Sequence, residues 1–302
     1  MVLEIIVWVD CCFIIMQLDI KEQSLILEGK KYSRKELMSL SANATGDNTS
    51  SFLLDLYRFL ADWFSDSPFM TVHTSGSTGT PKVLTVRKEQ MMQSARMTCE
   101  FLNLHTGDTA LLCMPLQYIA GKMMVVRALV AGLNLISGHP LADVTVPLRF
   151  VAMVPLQVFN TLQVLREKER LCHTDILIIG GGAIDAALEN EIRLLPGEIY
   201  STYGMTETLS HIALRRLNGS SASPYYRPFS SVELSLSPEN TLVIKAPLVC
   251  DDILFTNDVA QLYPDHSFVI LGRKDNIINS GGIKIQIEIS VQRLERPVKM
   301  LV

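Results

Sequence analysis

From Asp108 to Gly204 the chain repeatedly changes period. Short apolar runs ("DTALLCMPL", "NLIS", "FVAMVP", "DILIIGGG", "GEIYSTYG") alternate with helical stretches such as "AGKMMVVRALVAG" and "IDAALENEIRLL". An apolar run without polar alternation is a strand covered on both faces, and strands separated by helices pair in parallel. The expected fold class is therefore α/β, a large N-terminal body of parallel sheet covered by helices. A helix from the end of "FVAMVP" to about Lys168 fits the same alternation. Upstream, "LILEGKKYS" predicts a hairpin turning at Gly29. Ser33 and Glu36 form a capping box for a helix through about Leu40, and "SANATGDNTSS" is a polar connector. "FLLDLYRFLADWF" predicts a helix with Phe52, Leu56, Phe59, Leu60 and Trp63 on one stripe, and a Met-rich helix is expected over about Lys88 to Leu102. From about Ser231 the runs shorten to "VELSLS", "TLVIKA" and "HSFVILG", which predicts a small antiparallel β subdomain. The apolar N-terminus is interrupted by Glu4 and Asp10 and has no basic lead-in, so a buried strand pair fits it better than a membrane span or a secretory signal.

Charge narrows the partners. The 27 Lys and Arg against 31 Asp and Glu leave −4, which gives no electrostatic case for nucleic acid or an anionic membrane. The 6 cysteines form no CxxC pair and the 6 histidines no HxxxH spacing, which fits reduced thiols and gives no zinc signature.

The densest motif is "HTSGSTGTPKVLTV". Between Thr74 and Lys82 it holds 5 hydroxyl residues, 2 glycines, a proline and a lysine. Glycines bring backbone N–H groups close to an anion, hydroxyls add donors, and Lys82 adds a mobile cation. A polar hairpin turn is the ordinary reading of any one of these residues; the whole string reads as a phosphate loop. It is not a Walker loop. Counting from Gly76, Pro81 occupies the second glycine position and Val83 follows Lys82. "FMTV" before and "VLTV" after both read as strand.

Four further pieces come in order. "DILIIGGGAI" ends a strand on Gly180, Gly181 and Gly182, either a tight turn or bare backbone for a flat ring. "YSTYGMTETLSH" puts the Tyr203 ring, the Thr206 hydroxyl and the Glu207 carboxylate in one loop. A purine could stack on the first, a phosphate bond the second, and Mg²⁺ suit the third. "LFTNDVA" places Asp258 after a strand and a turn, where a carboxylate can accept from a ribose diol. "LGRKDNIINSGGIKI" carries Arg273 and Asp275 and reads as a hinge. Singly, these residues have ordinary roles: core tyrosine, turn threonine, solvated glutamate, surface ion pair.

The order TSGSTGTPK, GGGA, YGMTE, FTND, GRKDNIINSGGIKI resembles that of the adenylate-forming acyl-CoA synthetases, a superfamily that includes luciferases and peptide-synthetase adenylation domains, over about Thr71 to Ile287. The resemblance implies an enzyme in which a carboxylic acid attacks the α-phosphate of ATP, giving acyl-AMP and pyrophosphate, after which coenzyme A displaces AMP. By position it implies that Thr74, Ser75, Gly76, Ser77, Thr78, Gly79 and Lys82 hold the departing phosphates. Gly181, Gly182 and Ala183 would line the adenine and acyl pocket, and Tyr203 and Gly204 would belong to the adenine platform. Thr206 would hold the α-phosphate, Glu207 the Mg²⁺, and Asp258 the ribose hydroxyls with support from Arg273. Residues 1–274 would be the AMP-binding domain. Asp275 would be the hinge into residues 275–302, the start of a small C-terminal domain.

"MPLQYIAGKMMVVRALVAG", "VAMVP" and "YSTYGMTETLSHIALR" further resemble the o-succinylbenzoate–CoA ligases of menaquinone biosynthesis, in their compact bacterial form. That substrate is an aromatic keto diacid, so one pocket edge should take a second carboxylate. Lys122 and Arg127 are candidates by neighbourhood alone, against the more ordinary reading of a solvated helix face. The resemblance implies a small carboxylic acid partner, a cytoplasmic setting, no membrane insertion, and compatibility with a homodimer. Three positions depart from the family: Val83 stands for a glycine, Gln117 for a histidine or aromatic, and Asn257 for the glycine of T-G-D. Family members also carry a lysine near their C-terminus that touches the acid and the α-phosphate, and the 27 residues after Asp275 (302 − 275) show no matching context. The expectation is a chain that binds the acyl-adenylate but adenylates slowly. The alternatives are another aryl or acyl-CoA ligase, or a catalytically weak nucleotide-binding homologue.

Overall fold

The computed structural model describes residues 4–9, 12–43, 50–73, 83–137, 141–280 and 283–286. β1 (Glu4–Val9) and β2 (Cys12–Gln17) pair antiparallel, as expected for the apolar N-terminus. β3 (Ser24–Leu27) and β4 (Lys30–Ser33) form the expected hairpin. Its two turn residues, Glu28 and Gly29, both have positive φ, the geometry that matches strand twist in a two-residue turn. The Glu28 carboxylate also accepts from the Ser137 backbone N–H at 2.7 Å and hydroxyl at 3.0 Å, which fastens the turn to the neighbouring strand. α1 (Arg34–Asn43) begins at the capping box, where the Ser33 N–H donates to the Glu36 carboxylate at 2.8 Å, and it runs about a turn beyond Leu40. α2 (Ser51–Phe64) buries Leu56, Phe59, Leu60 and Trp63, while Phe52 is half-buried.

β5 (Phe69–His73) and β6 (Val83–Arg87) pair antiparallel on either side of the Gly/Ser/Thr-rich loop. Then come α3 (Lys88–Phe101), β7 (Thr109–Leu112), α4 (Ile119–Ala131) and β8 (Asn134–Ser137). α4 is apolar nearly all round, and every residue from Met123 to Ala131 is buried, as such a helix must be. β9 (Leu148–Met153) leads into two helices, α5 (Pro155–Gln163) and α6 (Leu165–Cys172), where one helix was expected. Val164 interrupts them with extended dihedrals (φ −107°, ψ 109°), and its carbonyl accepts from the Lys168 N–H at 2.9 Å to start the second. β10 (Thr174–Ile179), α7 (Ala186–Ile192) and β11 (Glu198–Gly204) complete the parallel core.

After β11 come β12 (His211–Arg216) and β13 (Arg227–Pro228), a sheet edge with no counterpart in the expected pattern. β14 (Glu233–Leu236), β15 (Thr241–Lys245), β16 (Leu254–Leu262) and β17 (Phe268–Arg273) form a separate antiparallel sheet of four. β18 (Ile277–Ser280) and β19 (Ile283–Gln286) pair antiparallel after a 3-10 turn at Lys274–Asn276.

The large sheet has nine strands in the order β13-β12-β11-β10-β9-β7-β8-β3-β4. The six from β11 to β3 run parallel, and antiparallel pairs close both edges. The chain leaves β7 for β8 on one side and reaches β9 on the other. Such a reversal of strand order marks, at the carboxyl ends of the strands, the standard ligand position in open α/β sheets. No helix among the described residues is long and apolar enough to cross a membrane.

Candidate active site

Close approach between β10 and β11 builds the first part of the site. Ile179 pairs with Ser201, and a Cβ on Gly180 would fall 2.1 Å from the Thr202 hydroxyl. Gly181 turns the chain away with φ +79°, a conformation that favours glycine. Gly182 and Ala183 then lie exposed beside the start of α5, with only Pro155 near the Gly182 Cβ position, at 3.8 Å. Bare backbone is thus presented at the carboxyl end of β10.

Tyr203, at the end of β11, is half-buried, and its ring packs edge-on to Phe268 at 5.3 Å. Its hydroxyl donates to the Asp258 carboxylate at 2.6 Å. Burial, then the Asp258 charge, raises the Tyr203 pKa, so the phenol stays protonated and donating. Asp258 lies inside β16, in register with Arg273 on β17, and not after a strand as the sequence suggested. Pairing with β17 overrides the turn preference of the Asn-Asp pair at 257–258. The Arg273 guanidinium bridges Asp258 at 3.1 Å and Asp275 at 3.0 Å, and the Asn257 amide donates to Asp275 at 3.1 Å. Four residues singled out separately, Tyr203, Asp258, Arg273 and Asp275, thus form one continuous chain. At Asn257 the departure from glycine adds a side-chain bond to Asp275.

The next loop is held by its backbone. A Cβ on Gly204 would sit 2.2 Å from the Ser210 carbonyl oxygen, so only glycine fits. Thr208, fully buried, accepts from the Met205 N–H at 3.0 Å, and its own hydroxyl donates toward the Ser210 carbonyl at 2.7 Å. Thr206 and Glu207 ride on this clamp in a single 3-10 turn (Thr206–Thr208). Among the described residues neither side chain has a hydrogen-bond or ion-pair partner, so a free hydroxyl and a free carboxylate stand together at the strand end. An oxygen donor of this kind suits Mg²⁺.

Behind that loop lies a group whose sequence neighbourhood misleads. Arg127 is not on a solvated face; it is 2 % exposed, in the middle of α4. One guanidinium nitrogen donates to the Ser210 hydroxyl at 2.8 Å, another makes a long contact to the Met124 sulfur at 3.7 Å, and Nε has no partner. No carboxylate among the described residues pairs with it. Burial pushes its pKa down to about 10, still charged at neutral pH. The neighbouring Cys99 thiol is pushed up to about 12 by burial and offers no negative charge. A lone arginine inside the apolar run "MMVVRALVA" was the available signal, since its neighbours on every side of the helix are residues that bury. Lys122, the companion candidate, is only partly exposed and donates to the Thr71 carbonyl at 2.9 Å, on the strand that enters the Gly/Ser/Thr loop.

Thr74, Ser75, Gly76, Ser77, Thr78, Gly79 and Lys82 lie outside the described residues, and so does the tail beyond Gln286. The strands flanking the loop are the expected ones, and Val83, in place of the family's glycine, opens β6 with an exposed side chain.

The sequence matches the AMP-binding enzyme family over residues 10–245. The solved acyl-CoA synthetase (AMP-forming)/AMP-acid ligase II-like protein from Dyadobacter fermentans is 34% identical, covers 85% of this chain and 74% of its own, and superposes with a TM-score of 0.72. The 2-succinylbenzoate–CoA ligase of Haemophilus influenzae is 27% identical over 252 residues, covering 78% of this chain and 54% of its own length. The chain therefore spans about half the length of the curated relatives it matches. The o-succinylbenzoate coenzyme A synthetase of Bacillus subtilis shares the fold. Its complex with ATP and magnesium ion gives TM-score 0.64 at 16% identity, covering 89% of this chain and 80% of that one. Its complex with the acyl-adenylate intermediate OSB-AMP gives 0.66 at 17%, covering 89% and 79%. With the matched family model spanning most of the chain, the chain belongs to the AMP-binding enzyme family.

Proposed function

We propose that this chain activates o-succinylbenzoate, an aromatic keto diacid, as its acyl-adenylate, for transfer to coenzyme A. A carboxylate oxygen of the acid attacks the α-phosphorus of ATP, a P–O bond forms, and pyrophosphate departs. The thiol sulfur of coenzyme A then forms the C–S bond, AMP leaves, and the thiol proton passes to solvent. The relatives named for this reaction and the acyl-adenylate complex of one of them support the reading.

In this reading the adenine lies over Gly181, Gly182 and Ala183 beside Tyr203 and Gly204, and the ribose diol takes the Asp258 carboxylate now shared by Tyr203 and Arg273. Thr206 donates to the α-phosphate. Glu207, free of partners among the described residues, would hold a Mg²⁺ that neutralises charge on the polyphosphate. Lys82 and the hydroxyls of Thr74 to Thr78 take the departing phosphates. Fixed donors and cations of this kind stabilise the charge gained in the transition state without reorganising. Asp275 is the hinge between residues 1–274 and the segment after it. Unpaired thiols at Cys99, Cys113, Cys172 and Cys250 support a reducing, cytoplasmic setting.

The observation that carries the acid's identity is Arg127. Arg127 has no counter-charge among the described residues; a buried cation left so is expensive, and a substrate carboxylate would complete it. An acid with a single carboxylate spends that group on the phosphorus and leaves Arg127 unpaired.

Calorimetry with a non-hydrolysable o-succinylbenzoyl-AMP mimic, a benzoyl-AMP mimic and AMP tests this without requiring turnover. Tight binding that depends on the succinyl carboxylate is expected. Equal affinity for the two acyl mimics would overturn the diacid assignment, and no binding of AMP would overturn the nucleotide site.

A further inference from the structure

The guanidinium of Arg127 is held from one side by a relay that crosses three elements. Its Nη2 donates to the Ser210 hydroxyl at 2.8 Å, Ser210 Oγ lies 3.3 Å from His211 Nδ1, and His211 Nε2 lies 3.1 Å from Thr98 Oγ1 on α3. Thr98 also contacts the Ser94 carbonyl at 3.1 Å. Counting hydrogens gives this relay a direction. A carbonyl only accepts, so the single Thr98 hydroxyl hydrogen goes to Ser94. Thr98 Oγ1 must then accept, which puts the ring proton of His211 on Nε2. Nδ1 is left bare and takes the Ser210 hydrogen, so the Ser210 oxygen faces Arg127 with its lone pairs. Each side-chain link of the row then joins one donor to one acceptor.

We infer that His211 and Thr98 are positioning residues for the acid, acting through Ser210 to aim the Arg127 guanidinium at the substrate's second carboxylate. This rests on the diacid reading of Arg127. The groups facing His211 are the Arg127 cation from α4, Thr98 from α3, Ser210 from the loop before β12, and the Phe229 ring at 5.6 Å. None is an anion, and burial with the Arg127 charge keeps the ring neutral. A neutral ring is what the relay requires: a doubly protonated one would compete with Arg127 for the Ser210 lone pairs and leave the Ser210 hydrogen unplaced. Replacing Thr98 by valine keeps the shape, removes both the acceptor and the final donor, and frees His211 to change tautomer. Ser210 would then no longer be obliged to turn its oxygen toward Arg127.

The test uses the full chain and the ratio of affinities for the succinyl-bearing and succinyl-free acyl-AMP mimics, which a general loss of packing would not move selectively. Thr98→Val should reduce that ratio about 10-fold, the weight of one hydrogen bond in a buried row, with AMP affinity unchanged, and Thr98→Ser should restore it. ¹⁵N spectra of labelled histidine, wild type minus His211→Phe, should show His211 protonated at Nε2 and bare at Nδ1. If His211→Phe does not fold, Thr98→Val carries the affinity test and the wild-type spectrum carries the tautomer. A wild-type protein that prefers the succinyl mimic and keeps that preference in Thr98→Val would overturn the relay and leave the diacid reading standing. No preference in the wild type would overturn both. A ring protonated at Nδ1 would also overturn the relay.

Discussion

Arg273 and Arg127 carry the same charge at opposite degrees of burial. Arg273 is 44 % exposed and lies between two carboxylates, Asp258 and Asp275. Arg127 is 2 % exposed and has, among the described residues, one hydroxyl and one sulfur. Water screens the first group, so its ion pairs add little to stability and can be exchanged for ligand hydroxyls at small cost. The second is shielded from bulk solvent by burial, so an anion that reached it would gain strongly and a neutral group would gain nothing. In the proposed function the first suits a nucleotide common to many reactions and the second suits selection of a single acid.

Arg127→Met sharpens this contrast most. Removing a buried, underpaired charge should raise the unfolding free energy by about 1–4 kcal/mol. The affinity for the succinyl-bearing mimic should fall by about 2–5 kcal/mol while AMP binding is unchanged. Chemical denaturation and calorimetry read the two effects, and a variant that is destabilised while still preferring the diacid would break the comparison. Gly204→Ala comes next. Its Cβ meets a backbone oxygen that cannot step aside, so a loss of about 3 kcal/mol in stability is expected. Gly182→Ala, whose Cβ would meet only Pro155 at ordinary van der Waals distance, should leave the thermal midpoint unchanged.

At the partner of Arg273, Asp258→Asn should weaken AMP by about 2 kcal/mol and cost about 1–3 kcal/mol of stability, because the Asp258 side chain is only 14 % exposed and also holds the Tyr203 hydroxyl. The buried histidine supplies a pH test. The His211 pKa lies well below its ordinary 6.5 in the folded chain, so the unfolded chain binds the extra proton. Stability is therefore full above about pH 6.5 and falls at lower pH, by about 1.4 kcal/mol per pH unit from this group. His211→Gln should flatten the denaturation-derived slope between about pH 6.5 and 5.5. The smallest effect is expected for Asn257→Gly, which loses one exposed bond to Asp275 and should cost less than about 0.5 kcal/mol by urea titration.

The sequence made the parallel core legible because a strand buried on both faces must be uniformly apolar, as "TDILII" and "NLIS" are. The hairpin at Gly29 and the Ser33–Glu36 box were legible because their chemistry is local. β12 was not. "HIALRR" comes directly after a loop read for its functional groups, and its partner β11 is set by tertiary pairing. The break at Val164 was hidden because a valine carries no strong breaking signal. At the site, order and spacing marked Tyr203, Asp258, Arg273 and Asp275, whose long-range pairing only the fold makes visible. Arg127 was misjudged because helical period alone does not say whether both faces of α4 are covered. His211 and Thr98 were missed because a relay between residues 113 apart leaves no pattern in the chain.

The most direct test is a crystal structure of the chain with the o-succinylbenzoyl-AMP mimic bound. The succinyl carboxylate is expected within hydrogen-bond distance of the Arg127 guanidinium, with Ser210 still accepting from the same group. A mimic seated with its adenosine beside Tyr203 and Asp258, but with the succinyl carboxylate in solvent and Arg127 bound as before, would contradict the selection of the acid by a buried arginine.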